Sequence, residues 1–298
     1  MAGTETKRAV LIAGPTASGK TALAIERAAR TGARIVNADS MQVYGVLDVL
    51  TARPGPDDLA AAQHVMFGHV DPGARYSTGA WLDDAHKQIQ AAEAQNQELI
   101  FVGGTGLYFE ALTKGFAQIP PVDQVYEAEA ERMVAGLDEA GRLALLGEKD
   151  PETARRIGVA DPQRVVRALS VLLATGRKLS AFQTDNAPGL LAGYALEKIV
   201  LMPERGLLRR RIGERFVGMM EAGAVAEVEA LLARGLDPAL PAMKAIGVSK
   251  LGAMLDGRMS RDEAVEKAVT ATRQYAKRQS TWFRNRFSDW QFVDPFGG

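Results

Sequence analysis

The sequence has no cysteine and only three histidines, His64, His69 and His86. The first absence excludes a disulfide framework and any thiolate metal site, and it is compatible with a reducing compartment. The histidines lack zinc-motif spacing, so ordinary surface or packing roles are expected of them. Net charge is missing as well, 36 Lys and Arg being balanced by 36 Asp and Glu in 298 residues. That balance excludes bulk attraction to nucleic acid but leaves room for a local basic surface. The N-terminal apolar run, Ala9–Ala13, is far too short for a signal or spanning segment. A cytoplasmic protein without membrane contact is the expectation. What remains, 47% hydrophobic and 24% charged residues, is the composition of an ordinary globular chain. Its length allows one large domain or a core with an insertion.

Against these absences stands one strong motif. Gly14-Pro15-Thr16-Ala17-Ser18-Gly19-Lys20-Thr21 fits the phosphate-loop pattern G-x-x-x-x-G-K-[ST]. Ala9–Ala13 before it reads as a buried strand, and Thr21–Ala29 after it as a helix. In such a strand-loop-helix the glycines let backbone N–H groups wrap an anion at the positive end of a helix dipole. Lys20 then reaches the terminal phosphate, and the Thr21 hydroxyl ligates Mg²⁺. The loop alone does not specify the phosphate compound.

Two further strand ends are expected on the same edge. Ala33–Ala38 reads as a strand ending at Asp39-Ser40-Met41-Gln42, and Leu99–Val102 as a strand stopped by Gly103-Gly104-Thr105-Gly106. In a parallel sheet the carboxyl ends of neighbouring strands line one crevice, where ligands bind. Asp39 is either a ligand-side carboxylate there or a turn cap. Thr105 offers a hydroxyl and can also open a helix. Residues 52–79 read as surface loop with short elements, and a helix is expected over Gly79–Ala94.

From Pro121 to Ala195 the strand-helix alternation stops, with helical segments around Tyr126–Ala140, Arg142–Leu146, Pro151–Ile157 and Gln163–Thr175. Ile119-Pro120-Pro121 and Asn186-Ala187-Pro188-Gly189 mark off this stretch. Leu196–Met202 restores a core strand, helices follow over Glu204–Arg234 and Ser260–Phe287, and Gly297-Gly298 is expected to fray. The expected fold is therefore α/β: a P-loop NTPase-like parallel sheet core (residues 1–120 and 196–298) with a helical insertion domain (121–195).

On the last helix Val265, Val269, Thr272, Ala276 and Phe283 share one face, with Arg273, Lys277 and Arg284 on its flank. No acidic residue falls between Thr272 and Arg286, and Tyr275, Trp282 and Phe283 interleave with the cations. Solvated helix faces usually mix signs, so this stripe reads as a phosphate-backbone surface at least as well as a bare solvent face.

Taken together, GPTASGKT (14–21), NADSMQVY (37–44), TARP (51–54), VGGTGLY (102–108), DPQRVVRAL (161–169) and TRQYAKRQSTWFR (272–284) resemble, in order, the tRNA dimethylallyltransferase family. The resemblance implies transfer of a dimethylallyl group from dimethylallyl diphosphate to N6 of the adenosine 3′-adjacent to the anticodon in tRNA. It implies Mg²⁺, with Gly14, Pro15, Thr16, Ala17, Ser18, Gly19, Lys20 and Thr21 holding a leaving diphosphate. Asp39 matches the family's catalytic aspartate, Thr105 its active-site threonine and Arg215 an arginine on the diphosphate; without the family, Arg215 reads as a surface cation. The RNA-facing segments it implies are Asp39, Ser40, Met41 and Gln42, then Gln163, Arg164, Val165, Val166 and Arg167, then Lys277, Arg278, Gln279, Trp282 and Arg284. The insertion would embrace the anticodon stem-loop, and a monomer is expected.

The chain departs from the family pattern at Gly45, Glu127, Gly158-Val159-Ala160 and Val248-Ser249-Lys250. None of these touches the implied chemistry; all bear on RNA contacts. Two other function classes fit parts of the sequence. A small-molecule kinase using ATP shares the phosphate loop but has no need of the basic aromatic helix. A non-catalytic RNA-binding or nucleotide-switch protein has no need of a carboxylate beside an anion site.

Overall fold

The computed structural model describes residues 7–117, 119–182 and 188–297. They divide into two compact units, one built from the chain up to Leu112 and from Leu190 onward, the other from Thr113–Gly189. The split thus falls several residues before Ile119-Pro120-Pro121 on one side and at Pro188-Gly189, short of the expected Ala195, on the other. Leu190, Leu191 and Tyr194 pack against the core of the first unit, which draws them out of the helical stretch. Of the expected boundary, Asn186 and Ala187 lie outside the described residues, as does Gly298.

The chain opens with β1 (Arg8–Ala13), α1 (Lys20–Thr31), β2 (Arg34–Asn37), α2 (Pro56–Ala61), β3 (His64–Val65), α3 (Thr78–Ala94), β4 (Leu99–Gly103) and α4 (Gly106–Lys114). The helical unit follows with α5 (Gln124–Val134), α6 (Glu139–Lys149), α7 (Pro151–Ile157), α8 (Pro162–Thr175) and α9 (Leu179–Phe182). The chain then returns to the first unit with β5 (Ala195–Leu201), α10 (Arg205–Glu221), α11 (Ala224–Ala233), a 3₁₀ turn at Ala242–Lys244, α12 (Val248–Leu255), α13 (Arg261–Arg286) and β6 (Gln291–Val293).

The six strands form one sheet in the order β3-β2-β4-β1-β5-β6, every neighbouring pair parallel. Alternation along β1 decides its two faces. Ala9, Leu11 and Ala13 join a cluster with Trp81, Phe101, Tyr108, Phe109, Phe283 and Phe287, whereas Val10 and Ile12 join one with Ala24 and Ala28 of α1. Both faces are therefore covered, as a parallel sheet requires. A third cluster binds α10, α11, α12 and the first half of α13 around Leu47 and Leu50. Because all strands run the same way, the loops after β1, β2, β4 and β6 open on one edge.

The helical unit has its own core of Ala130, Val134, Leu146, Val165, Ala168, Leu169 and Phe182. One helix was expected over Tyr126–Ala140, but α5 stops at Val134. Gly136 at φ +75° turns the chain, and Asp138 then caps α6 by accepting from Gly141 N at 2.8 Å. Periodicity does not register a turn of this kind between two amphipathic segments. Similarly β6 and α12, both short, carry too little pattern to stand out.

Candidate active site

The phosphate loop fits between β1 and α1 as its motif demands. Gly19 caps α1 in a left-handed conformation, φ +88°, and a Cβ there would come within 3.2 Å of Phe296 Cζ. Lys20 folds back so that Nζ donates to Pro15 O at 2.8 Å. Burial strips water from this ammonium and lowers its pKa to about 8; Asp39 opposes the shift and Arg215 adds to it. The Ser18 hydroxyl is buried without a hydrogen-bond partner, a polar atom held ready inside the cradle.

Two arginines one turn apart on α10 reach this loop. Arg215 Nη2 donates to Thr16 Oγ1, and Arg211 Nε donates to Ala17 O at 3.1 Å. Arg211 also stacks its guanidinium 4.2 Å from the Phe296 ring centre. Burial lowers the Arg215 pKa and Asp39 raises it, so the guanidinium stays charged in the cavity wall. Arg215 is thus no bare surface cation. Arg211 and Phe296 were not singled out in the sequence, although the i, i+4 spacing of the two arginines on one helix carried a signal.

Asp39 stands just past the end of β2. Its backbone N–H donates to Asn37 Oδ1 at 2.8 Å, while its Oδ1 accepts from Met41 N at 2.9 Å. Asn37 is itself fixed by donating to Asp39 O and Met66 O, and its carbonyl accepts from Trp81 Nε1 at 2.9 Å. One oxygen of Asp39 is consumed by the turn, and Oδ2 points towards Gly104, where a Cβ would lie 3.1 Å away. The two readings of Asp39, cap and functional carboxylate, thus apply to different oxygens. Next to it Thr105 Oγ1 accepts from Ser40 N at 2.9 Å and donates to Ser40 Oγ at 3.2 Å, tying the β4 loop to the β2 loop.

Two cavities meet at Asp39. A polar one of about 480 Å³ is lined by residues 16–21 of the phosphate loop with Asp39, Gln42, Arg53, Arg211 and Arg215. The second, about 320 Å³, has apolar walls from Met41, Leu50, Ile212, Phe216 and Met219, with Tyr275, Lys244 and Arg278 completing it. Thr16, Asp39, Thr51 and Arg215 line both. Between them runs the loop after Tyr44. Gln42 Nε2 donates to Thr51 O and Ala52 O, and the Glu227 carboxylate of α11 accepts from the consecutive N–H groups of Asp48, Val49 and Leu50 at 2.7–2.9 Å. A carboxylate in such a backbone nest makes charge-assisted bonds. Nothing in the sequence marks Glu227, because its partners lie far away along the chain.

The expected RNA-facing residues divide by burial. Lys277, Arg278 and Arg284 are exposed on α13 and Arg164, Arg167 and Gln163 on α8. Asp161 starts α8 by accepting from the N–H groups of Gln163 and Arg164. Val165, however, is fully buried in the helical unit's core, and Val166 packs at its margin. Trp282 is half-buried, edge-on to Phe283 and Phe287, over Gly106. Gln279 is buried and bonded to both glycine-rich loops, so its side chain faces the sheet edge and not the solvent. Arg273, on the expected stripe, donates twice to Arg209 O and so braces α13 against α10. His64 bonds to Ala62 O and, with Nε2 buried and unpaired, lines the polar cavity, whereas His69 bonds to Tyr76.

The IPP transferase family model matches residues 42–286. Curated tRNA dimethylallyltransferases from Methylobacterium nodulans and Allorhizobium ampelinum are 52% and 50% identical, covering 97% and 96% of this chain and 95% of each relative. The chain belongs to the IPP transferase family. Among solved structures, the tRNA isopentenylpyrophosphate transferase of Bacillus halodurans is 31% identical with a TM-score of 0.67, covering 97% of this chain and 90% of that one. A eukaryotic dimethylallyltransferase acting on tRNA aligns with a TM-score of 0.81 over 97% of this chain and 74% of its own; at 24% identity it speaks for the fold alone. The α/β core with its six-stranded parallel sheet is thus the fold of these transferases. No helix among the described residues is long and apolar enough to cross a membrane.

Proposed function

We propose that this IPP transferase family member moves a dimethylallyl group from dimethylallyl diphosphate to N6 of the adenosine 3′-adjacent to the anticodon in tRNA. One observation carries the reading: Asp39 sits where an anion cradle meets an apolar cavity. Prenyl transfer asks for that juxtaposition. The bond between the allylic carbon and the diphosphate oxygen breaks, a bond from N6 to that carbon forms, and the N6 proton leaves to a base. Lys20, Arg215 and the loop N–H groups stabilise the charge that gathers on departing diphosphate. Asp39 Oδ2, free of the turn, accepts the proton. Thr105 holds the Ser40 backbone that follows it. A base stacked in an anticodon loop has to turn out to reach this point, and unpaired loops are what proteins read in RNA.

Mg²⁺ fits the residues present. Thr21 lines the cavity beside Lys20, and the described residues contain no cluster of three His, Asp or Glu side chains that could cage a metal. In a phosphate loop the Thr21 hydroxyl would help to hold Mg²⁺ together with substrate phosphate and water, and the cation would neutralise charge on the leaving diphosphate. We place Lys277, Arg278 and Arg284, with Arg164 and Arg167, against tRNA phosphates, in a monomeric, cytoplasmic enzyme. The kinase alternative gains nothing from the relatives, whose names describe transfer to tRNA.

The test is incubation with Mg²⁺, radiolabelled dimethylallyl diphosphate and an anticodon stem-loop with three adenosines after the anticodon. Label should enter the RNA. Absence of transfer together with tight ATP binding by calorimetry would favour a kinase instead.

A further inference from the structure

Gln279 joins the two glycine-rich loops with a single side chain. From α13 its Oε1 accepts from Thr16 N, in the phosphate loop, at 2.9 Å, and its Nε2 donates to Gly104 O, in the β4 loop, at 2.9 Å. An amide is suited to this, since it offers an acceptor and a donor on one rigid plane. The fit is close: a Cβ at Gly104 would fall 2.2 Å from Gln279 Nε2. Gly104 precedes Thr105, whose hydroxyl holds Ser40, and it faces Asp39 Oδ2. The bridge therefore runs from the loop that would hold the leaving group to the loop beside the base.

We propose that Gln279 is a positioning residue that sets the spacing between the leaving-group cradle and the Asp39–Thr105 loop. This rests on the transferase reading above. Reaction between two bound partners depends steeply on their separation, and a misplacement of about 1 Å can cost roughly 10²-fold in rate. The pairing of β1 with β4 ends at Ala13 and Gly103; beyond it the phosphate loop is bonded to Arg211 and Arg215 of α10 and the β4 loop to Ala38 and Ser40, and none of these bonds joins the two loops to each other. Gln279 supplies that direct link. Gln279 stands beside the cations in sequence, but the turn of α13 sends it to the packed side with Ala276 and Phe283, and its amide is not presented to RNA.

Three measurements on the full-length protein test this. Gln279→Met keeps the volume and deletes both bonds, so single-turnover transfer at saturating substrates should slow by about 30–100-fold. The KM for dimethylallyl diphosphate and the affinity for the stem-loop should stay within about threefold, since Gln279 is buried and lines neither cavity. Gln279→Glu is isosteric and separates the two bonds. As a carboxylate it keeps the acceptor for Thr16 N but loses the donor to Gly104 O; as a neutral acid it regains both. Its rate relative to wild type should thus recover by about tenfold on going from pH 8 to pH 5.5, as burial raises the pKa of the introduced carboxyl. A residue that merely fills space would show no such profile. The third readout needs no catalysis: exchange of the Thr16 N–H should quicken by at least about tenfold in Gln279→Met.

Rates within twofold of wild type in both variants, or unchanged Thr16 exchange, would overturn the proposal. Lost stem-loop affinity with an intact saturated rate would restore Gln279 to the RNA surface and overturn it too. If wild-type protein transfers no label, the transferase reading fails, and the exchange measurement still decides whether Gln279 holds the loop.

Discussion

The sheet-edge loops and the helix α13 both carry strong sequence patterns, yet the patterns mean different things. In the loops the motif describes local backbone. Gly19 must adopt a left-handed conformation and Lys20 must fold onto Pro15, and both constraints lie within a few residues. On α13 the pattern is a stripe, and which side chains face outward is decided by elements far away in sequence. Lys277 and Gln279 are two residues apart, but one is exposed and the other lies buried against Gly104. A motif that encodes its own geometry can be read directly; periodicity gives the packed face of a helix, but the role of a polar residue on it emerges only once its packing partners are known.

This contrast can be sharpened, beginning with the loop. Lys20→Ala should lower transfer by about 10²–10³, the usual cost of one donor to developing negative charge, with stem-loop affinity nearly intact. Wild-type affinity for dimethylallyl diphosphate should also decline as pH rises through about 8, where the free ammonium loses its proton. In Lys20→Arg that decline should flatten, because a guanidinium stays charged. Calorimetric titration between pH 6.5 and 9.5 checks both; a pH-independent wild-type affinity would remove Lys20 from the cradle.

A smaller effect is expected at Glu227, which was invisible in sequence. Glu227→Gln weakens three charge-assisted bonds to the loop at Asp48–Leu50 and should cost about 1–2 kcal/mol. In a domain of this size that is a fall of about 2–6 °C in melting temperature. An unchanged transition would mean that the apolar packing of Leu47 and Leu50 alone holds the loop.

On α13 the exposed cations should separate from the braced one. Lys277→Ala, Arg278→Ala and Arg284→Ala should each reduce the salt slope of stem-loop binding by about 0.7–0.9 without moving the melting temperature. Arg273→Ala should instead destabilise by about 1 kcal/mol, because it deletes the contacts to Arg209 O. Equal slopes in all four variants would make the stripe a solvated face.

The smallest effect is expected in the helical unit. Arg167 is exposed by surface area, yet crowding by its neighbours lowers its pKa and the charge of Glu127 raises it; on the proposed reading that carboxylate would offset a cation meant for phosphate. Glu127→Arg should tighten stem-loop binding about threefold at low salt, with less effect at high salt, and leave saturated turnover alone. Affinity unaltered at every salt concentration would place this surface away from RNA.

The same division governs what the sequence made legible. The phosphate loop, the strand ends at Asp39 and Gly103, and the long helix over Ser260–Phe287 follow from short-range pattern, and β1, β2, β4, β5 and α13 stand within a residue or two of expectation. Arg211, Phe296 and Glu227 were missed because each matters only through contacts with residues far off in the chain. Val165 was assigned to RNA as part of a contiguous segment, although α8 turns about 100° per residue and sends it into the core between exposed Arg164 and half-buried Val166. Segments were legible, and so was the packed face of α13, but the side of α8 was not.

The account depends most on Asp39 as a base at the meeting of the two cavities that adds little to the affinity for either substrate. The direct measurement is the single-turnover transfer rate of Asp39→Asn at saturating dimethylallyl diphosphate and stem-loop, with both affinities determined in parallel. Transfer should slow by about 10²–10⁴ while both affinities stay within about threefold, since asparagine can keep the Met41 contact and lacks only the proton acceptor. A rate within twofold of wild type would contradict the assignment and leave Asp39 as the cap of the β2 turn.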